Sequence, residues 1–276
     1  MLVIPKKVQE RLVNGIKRFQ PILIAAKNRD VNESDTVIIV TDMLSELFGY
    51  DKYSEITSEY SIRSTFCDLA TKINEKLQLL IEVKAIGLDL KDSFVKQAVD
   101  YAANQGSDYV ILTNGIIWRV YKISFAKPVN QELVLEFDIT LINIKSIDQL
   151  QQLFFITKEG WQKSSLDLYH EQRQALSRFM ISALILSDPV LDLLRKQLRT
   201  ISPDIKIDSS QIFNVLINEV LKREVVEGEK SDEARKKLQK TLNKINKNKP
   251  TRQSREPAPQ VEETPIQSEQ SNLIIE

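Results

Sequence analysis

The chain has 276 residues, 42% hydrophobic and 28% charged, and its 38 basic and 38 acidic side chains leave a formal net charge of zero. This is enough to bury one substantial core and a second small one, and it argues against a strongly basic protein that coats nucleic acid. Cys67 is the only cysteine and His170 the only histidine, which leaves little basis for disulfides, cysteine-histidine zinc sites or a cysteine-histidine dyad within one chain.

No apolar run approaches the roughly 20 residues of a membrane-spanning helix, and MLVIPKKVQERL lacks a signal-peptide core and cleavage site, so a cytoplasmic protein without a membrane partner is expected. In KKVQERLVNGIKRF, Val8, Leu12, Ile16 and Phe19 recur at helical spacing, and Pro21 is expected to end that helix. Residues 1–30 thus read as an N-terminal packing helix. A second helix starts near Asn32 or Ser34, both good caps, and runs through Val37, Val40, Met43, Leu44 and Leu47 to Gly49. Glu33 sits at its start, where the helix dipole favours an acid. EITSEYSI reads as an edge strand carrying Glu59, a position usually solvated.

The stretch from Thr65 to Asn114 organises the rest. FCDLATKI alternates so that Phe66, Asp68, Ala70 and Lys72 share one face; in LQLLIEVKAI, Gln78, Leu80, Glu82 and Lys84 share another, with Leu79, Ile81, Val83 and Ala85 opposite. A carboxylate and an ammonium on a buried strand are costly unless paired or metal-bound, which marks a site. The short link Asn74-Glu75-Lys76 predicts a hairpin that sets Asp68 beside Glu82. In LDLKDSFVKQAVDYAANQG, Leu90, Phe94, Ala98 and Tyr101 follow helical spacing, with Gln97 four residues before Tyr101 and Gly106 at the close. SDYVILTNG and IIWRVYKI then read as two strands joined at Asn-Gly.

After Lys127-Pro128, QELVLEFDI is a last strand with Leu133, Leu135 and Phe137 on one face, and the sheet domain, residues 31–145, ends near Ile144. Residues 146–227 are helical: SIDQLQQLFFI, then SSLDLYHEQRQALSRFMISALIL, then DPVLDLLRKQLRTI with Pro189 in a first turn, then SSQIFNVLINEVLKREV capped by Ser209 or Ser210. They are apolar enough to require packing on each other and on the sheet, and His170 is expected on a helix surface. Residues 228–250 form a basic helix or tether, with Leu238, Leu242 and Ile245 as a narrow stripe; its bases either attract nucleic acid or form an ordinary solvated face. Residues 251–276, rich in Pro, Ser, Gln and Glu, are expected to be disordered, with Leu273-Ile274-Ile275 a possible partner tag.

An E-x-K triplet alone is common on solvated strands. Together, however, Asp68, Glu82-Val83-Lys84, Gln97-x-x-x-Tyr101, and TNG followed by Trp118 resemble the PD-(D/E)XK nuclease superfamily, and more narrowly the N-terminal nuclease domain of type I restriction enzyme R subunits in a stand-alone form. NESDTVIIVTDMLSELFGYD and FFITKEGWQKSSLDLYHEQRQAL extend the likeness to roughly residues 30–225. The resemblance implies an α/β (α+β) fold, a restriction-endonuclease-like mixed sheet flanked by helices, followed by a helical C-terminal region and the tail. It implies DNA as partner, with other restriction or defence subunits, and Mg2+ (or Mn2+) as cofactor. Asp68, Glu82 and the Val83 carbonyl would be ligands, Lys84 would contact water or phosphate, and Gln97 and Tyr101 would position water or backbone. Glu33 is either a further acid toward the metal or a first-turn helix acid; Glu59 competes for that role. Cys67 stands where the superfamily name places proline. The chain carries no G-x-x-x-x-G-K-[ST] loop and so no ATP site, and no helix-turn-helix or zinc-finger pattern. A magnesium-dependent DNA endonuclease is the expected function, and a catalytically inactive nucleic-acid-binding or assembly module on the same fold is the alternative.

Overall fold

A computed structural model describes residues 3–62, 65–105, 107–125 and 129–247. The tail expected to be disordered, with its Leu273-Ile274-Ile275 end, lies outside them, as do Gly106, Lys127 and Pro128. The chain divides into two compact units, Met1–Leu176 and Ser177–Glu276. The first contains α1 (Lys6–Asn28), α2 (Glu33–Glu46), β1 (Ile56–Ile62), β2 (Thr65–Ile73), β3 (Lys76–Val83), α3 (Asp92–Gln105), β4 (Tyr109–Thr113), β5 (Ile117–Ser124), β6 (Asn130–Asp138), α4 (Ile147–Phe154), α5 (Lys158–Gln162) and α6 (Ser165–Ala175). The second contains α7 (Arg178–Ile185), α8 (Asp188–Ile201), α9 (Ser209–Val215) running into a π-helical turn, α10 (Arg223–Val226) and α11 (Glu229–Lys247).

The six strands form one sheet in sequence order. Neighbours are antiparallel except β3 and β4, which are parallel. Turn chemistry explains the antiparallel joints on either side of that pair. Asn74 and Glu75 both adopt positive φ, 51° and 62°, which suits a two-residue hairpin between β2 and β3. Gly115, at φ 83°, closes the turn between β4 and β5, where a side chain would be strained. A parallel pair needs a long crossover, and α3 supplies it.

Each face of the sheet carries its own core. Leu79, Ile81, Val83, Ile111 and Trp118 pack with α1, α2 and α4, whereas Leu80, Val110 and Leu112 pack with Val95, Ala98 and Ala102 of α3. The two apolar sets of β3 therefore separate by alternation, as its sequence implies.

Several expectations are corrected by the packing. Helix α1 continues through Pro21 to Asn28. Leu23 and Ala26 extend the stripe of Leu12, Ile16 and Phe19 and are fully buried, and that burial offsets the hydrogen bond proline removes. In β6, Val120 pairs with Leu135 but Tyr121 with Leu133, so Val134 is an extra residue. Val134 is buried and Leu133 is 44% exposed, so Leu133 does not share the buried face of Leu135 and Phe137. The long helix expected after Ser164 is broken near Ser177, whose hydroxyl accepts from the Met180 N–H and caps α7. Asp208, in a capping box with Gln211, caps α9 instead of Ser209 or Ser210. The His170 side chain is largely covered, with Nε2 3.8 Å from Glu132.

One polar side chain ties the end of the parallel pair together. Asn114 Oδ1 accepts from the N–H groups of Ile116 and Ile117, and Nδ2 donates to the carbonyl of Leu88, in the loop that follows Lys84. Asn114 is buried, so Asn114→Ala strands all three backbone groups. A loss of about 2–3 kcal/mol is expected. Urea unfolding followed by Trp118 and Trp161, both in the first unit, measures it; an unchanged midpoint would show that water replaces the amide.

Candidate functional site

The site lies at the carboxyl end of β3, beside the parallel neighbour β4. Val83 pairs with Thr113, and the Lys84 N–H donates to the Thr113 carbonyl at 2.8 Å. From there the chain leaves the sheet, and Gly87 passes so close to Asp30 that a Cβ on it would lie 2.3 Å from the carboxylate. This glycine lets the loop after Lys84 approach the loop before α2. At the start of α2, the Asn32 side chain accepts from the Asp35 N–H and caps the helix, leaving Glu33 as its first residue.

Asp68 arrives from β2. The hairpin pairs Leu69 with Ile81 and Ala70 with Leu80, a register that carries Asp68 toward Glu82. On its other side the ladder is irregular. Ser58 pairs with Leu69 and Tyr60 with Cys67, while Glu59 between them has φ 48°, a conformation costing about 1 kcal/mol for a non-glycine residue. Cys67 and Ala70, three apart, bury in the same core, so strict alternation fails around Asp68. Its carboxylate accepts the Val83 N–H at 2.7 Å. The side chain of Phe66 lies outside the described residues.

The charges converge on one ammonium. Lys84 Nζ donates to Glu82 Oε1 at 2.8 Å and stands 3.6 Å from Glu33 Oε2. The side chains of Glu82 and Lys84 are 6% and 15% exposed, that of Glu33 48%. Burial raises the Asp68 carboxyl above its ordinary range; the Val83 N–H and Lys84 oppose the shift and Glu33 adds to it. Burial likewise raises Glu82, against Lys84 and with Asp68 and Glu33. Burial alone would lower Lys84, but the three carboxylates outweigh it and hold the lysine charged. Burial therefore outweighs the nearby ammonium at Asp68 and Glu82, and both carboxyls stay raised.

Glu82 Oε2 is buried and has no hydrogen-bond partner among the described residues. An orphaned carboxylate oxygen in an acid-rich site suits a hard cation, for which one or two carboxylates suffice because waters complete the shell. The donor set is sparse: among the described residues no group of three or more His, Cys, Asp or Glu side chains is placed to hold a metal. Asp68 and Glu82 therefore fit as a two-carboxylate set, and Glu33 sits against Lys84.

The other sequence candidates divide. Gln78 is the extra residue of a bulge, since Thr71 pairs with Leu79 and Lys72 with Leu77, and its amide accepts from Trp161 Nε1 instead of facing the acids. Glu59 is exposed on the edge strand. Gln97 and Tyr101 lie on α3, but their side chains are outside the described residues. The Asp68 bond to the Val83 N–H, the Glu33–Lys84 contact and the Asn114 bridge were not foreseen; only the cap at Asn32 and the TNG turn hinted at the last two.

A mixed six-stranded sheet flanked by helices and crossed by α3, with Asp68, Glu82 and Lys84 gathered at the end of its parallel pair, is an α/β fold. Residues 39–135 match the family described as type I restriction enzyme R protein N terminus. The matched stretch is about a third of the chain; it includes Asp68, Glu82, Lys84, Gln97 and Tyr101, excludes Glu33, and supports a nuclease-related function. No curated protein and no solved structure matches the chain. No helix among the described residues is long and apolar enough to cross a membrane.

Cys67 reports on the site from within. It is fully buried and its thiol is pushed up to about 12, first by burial and then by the charges of Glu82 and Asp68. Because the folded value exceeds the unfolded one, the neutral thiol contributes stability below about pH 8.5 that fades as pH rises toward the folded value. Iodoacetamide is expected to label Cys67 only after unfolding; rapid labelling of native protein at pH 8 would place the thiol in solvent.

Proposed function

We propose that the protein is a divalent-metal-dependent endonuclease that hydrolyses phosphodiester bonds in DNA, with Asp68, Glu82 and Lys84 as its catalytic centre. The observation that carries this reading is the Glu82–Lys84 pair, which buries a carboxylate with one oxygen unpartnered among the described residues beside a lysine kept protonated. Asp68 and Glu82 would hold Mg2+ or Mn2+, with the Val83 carbonyl as the further ligand that the family resemblance implies. When bound, such a cation supplies Lewis acidity and lowers the pKa of water. The Val83 N–H fixes the Asp68 carboxylate in one orientation, and Glu82 does the same for the Lys84 ammonium. A charged Lys84 cannot take a proton; it acts as a compact cation for a phosphoryl oxygen or as a donor to the attacking water. Glu33 draws the ammonium outward and so competes with a phosphate for it. Gln97 and Tyr101 would align water or the DNA backbone from α3, and cytoplasmic DNA is the substrate this reading expects.

A second reading, a binding module that keeps the fold without catalysis, is favoured by the sparse donor set. Supercoiled plasmid with Mg2+ or Mn2+ separates the two. Wild type is expected to nick it, Asp68→Ala not at all, and Lys84→Arg on the order of 10²–10³-fold more slowly, since the planar fork does not fit a site shaped for an ammonium. Glu82→Gln is expected to abolish cleavage yet leave DNA affinity in chelator equal or better. Wild-type rates for both Lys84→Arg and Glu82→Gln would overturn the catalytic assignment.

Metal binding carries its own pH signature. Because the carboxyls of Asp68 and Glu82 are raised, protons compete with a cation for them earlier on acidification than at ordinary carboxylates. Apparent Mn2+ affinity is therefore expected to rise with pH and to begin falling, on acidification, above the ordinary carboxylate range of about 4. Calorimetric titration at stepped pH reads this directly, and an affinity insensitive to pH would remove these carboxyls from the ligand set.

A further inference from the structure

The second unit ends in α11, Glu229–Lys247, whose faces differ sharply. Ala234, Leu238 and Leu242 are buried or half-buried, and α11 packs on α7. Lys236, Lys240 and Lys244 follow one another at intervals of four, so they stack along one exposed ridge about 12 Å long. None of the three makes an ion pair among the described residues. The helix's acids, Glu229, Asp232 and Glu233, lie at its beginning, and Asp232 is near Arg235, not the ridge. From Ala234 onward the helix carries no acid at all.

We infer that this ridge holds the phosphate backbone of duplex DNA without reading its sequence. The polymer presents one negative charge per roughly 1.7 Å of axis, so a 12 Å row of ammonium groups meets several phosphates at once. Unpaired lysines need no bond broken first, and each releases condensed counterions on contact. A membrane surface is the poorer match. Interfacial helices present a free apolar face beside their basic one, whereas between Glu229 and Lys244 the apolar side chains of α11, Ala234, Leu238 and Leu242, are buried or half-buried in the second unit. The lysines' exposed neighbours Gln239, Thr241 and Asn243 are polar, and the two amides that could read a base edge are engaged with each other, Gln239 Nε2 donating to Asn243 Oδ1.

The inference stands apart from the hydrolytic reading, because it is tested in chelator, where no cleavage occurs. Anisotropy of a labelled random-sequence duplex is followed between about 0.05 and 0.2 M salt. For the full chain carrying Lys236→Gln, Lys240→Gln and Lys244→Gln, log K against log salt is expected to become shallower by about 2–3, with affinity near 0.1 M salt lower on the order of 10²-fold. The triple Lys→Arg variant should keep the wild-type slope, and Lys240→Gln alone should change it by about 0.9. Lys7→Gln, Lys17→Gln and Lys27→Gln on α1 remove the same charge elsewhere and should leave the slope unchanged. Circular dichroism establishes that each variant is folded. An unchanged slope in the folded triple Gln variant overturns the proposal, as does an equal loss in the α1 control. Binding to phosphatidylserine vesicles with no shift of the duplex overturns it too.

Discussion

The ammonium of Lys84 is the point on which the first unit's chemistry rests. It is set against Glu82, Asp68 and Glu33, in a place where burial works against its own charge and those of Asp68 and Glu82. Neutralising any single member would change the others, since the lysine remains charged because of the carboxylates and they are restrained mainly by the lysine and the Val83 N–H. The backbone makes this grouping unavoidable. A parallel pair ends both strands at the same edge, so the residue that leaves β3 must bond to the end of β4, as Lys84 does to Thr113. Asn114 and Gly115 then fix the adjacent turn, and the Gly87 approach to Asp30 brings the cap of α2 to the same edge.

Much of this was legible in the residues. Alternation in LQLLIEVKAI set Glu82 and Lys84 on one side with Val83 on the other, and the two-residue link at Asn74-Glu75 implied the hairpin. The helix between β3 and β4 was legible from its spacing, whereas the parallel pairing it spans was not. What periodicity could not show were events one residue long. The bulge at Gln78 depends on Trp161, distant in sequence, and the bulge at Val134 depends on how β6 meets β5. A period of two predicts the wrong face beyond each such point. Pro21 shows the opposite failure: a strong local breaker is overridden because Leu23 and Ala26 complete a buried stripe.

The irregularity around Asp68 matters most for the site. In an unbroken ladder Asp68 would stand perpendicular to the sheet, and its carboxylate could not reach a neighbouring strand's N–H. The left-handed Glu59 and the shared burial of Cys67 and Ala70 mark where the ladder gives way. Backbone strain of this kind persists where surrounding packing fixes it, and here the packing on both sides is complete: Leu69 in one core, Cys67 and Ala70 in the other.

A net charge of zero describes neither unit. Many charges cancel locally, Arg11 with Glu159, Arg119 with Glu136, Lys158 with Glu55. The remainders have opposite signs: an excess of carboxylate around Lys84, and a row of unpaired lysines on α11. At physiological salt the Debye length is about 8 Å, so a ligand at either place responds to the local remainder and hardly at all to the sum. An acidic centre suited to a cation and a basic ridge suited to a polyanion can therefore coexist in a chain whose composition alone argues for neither.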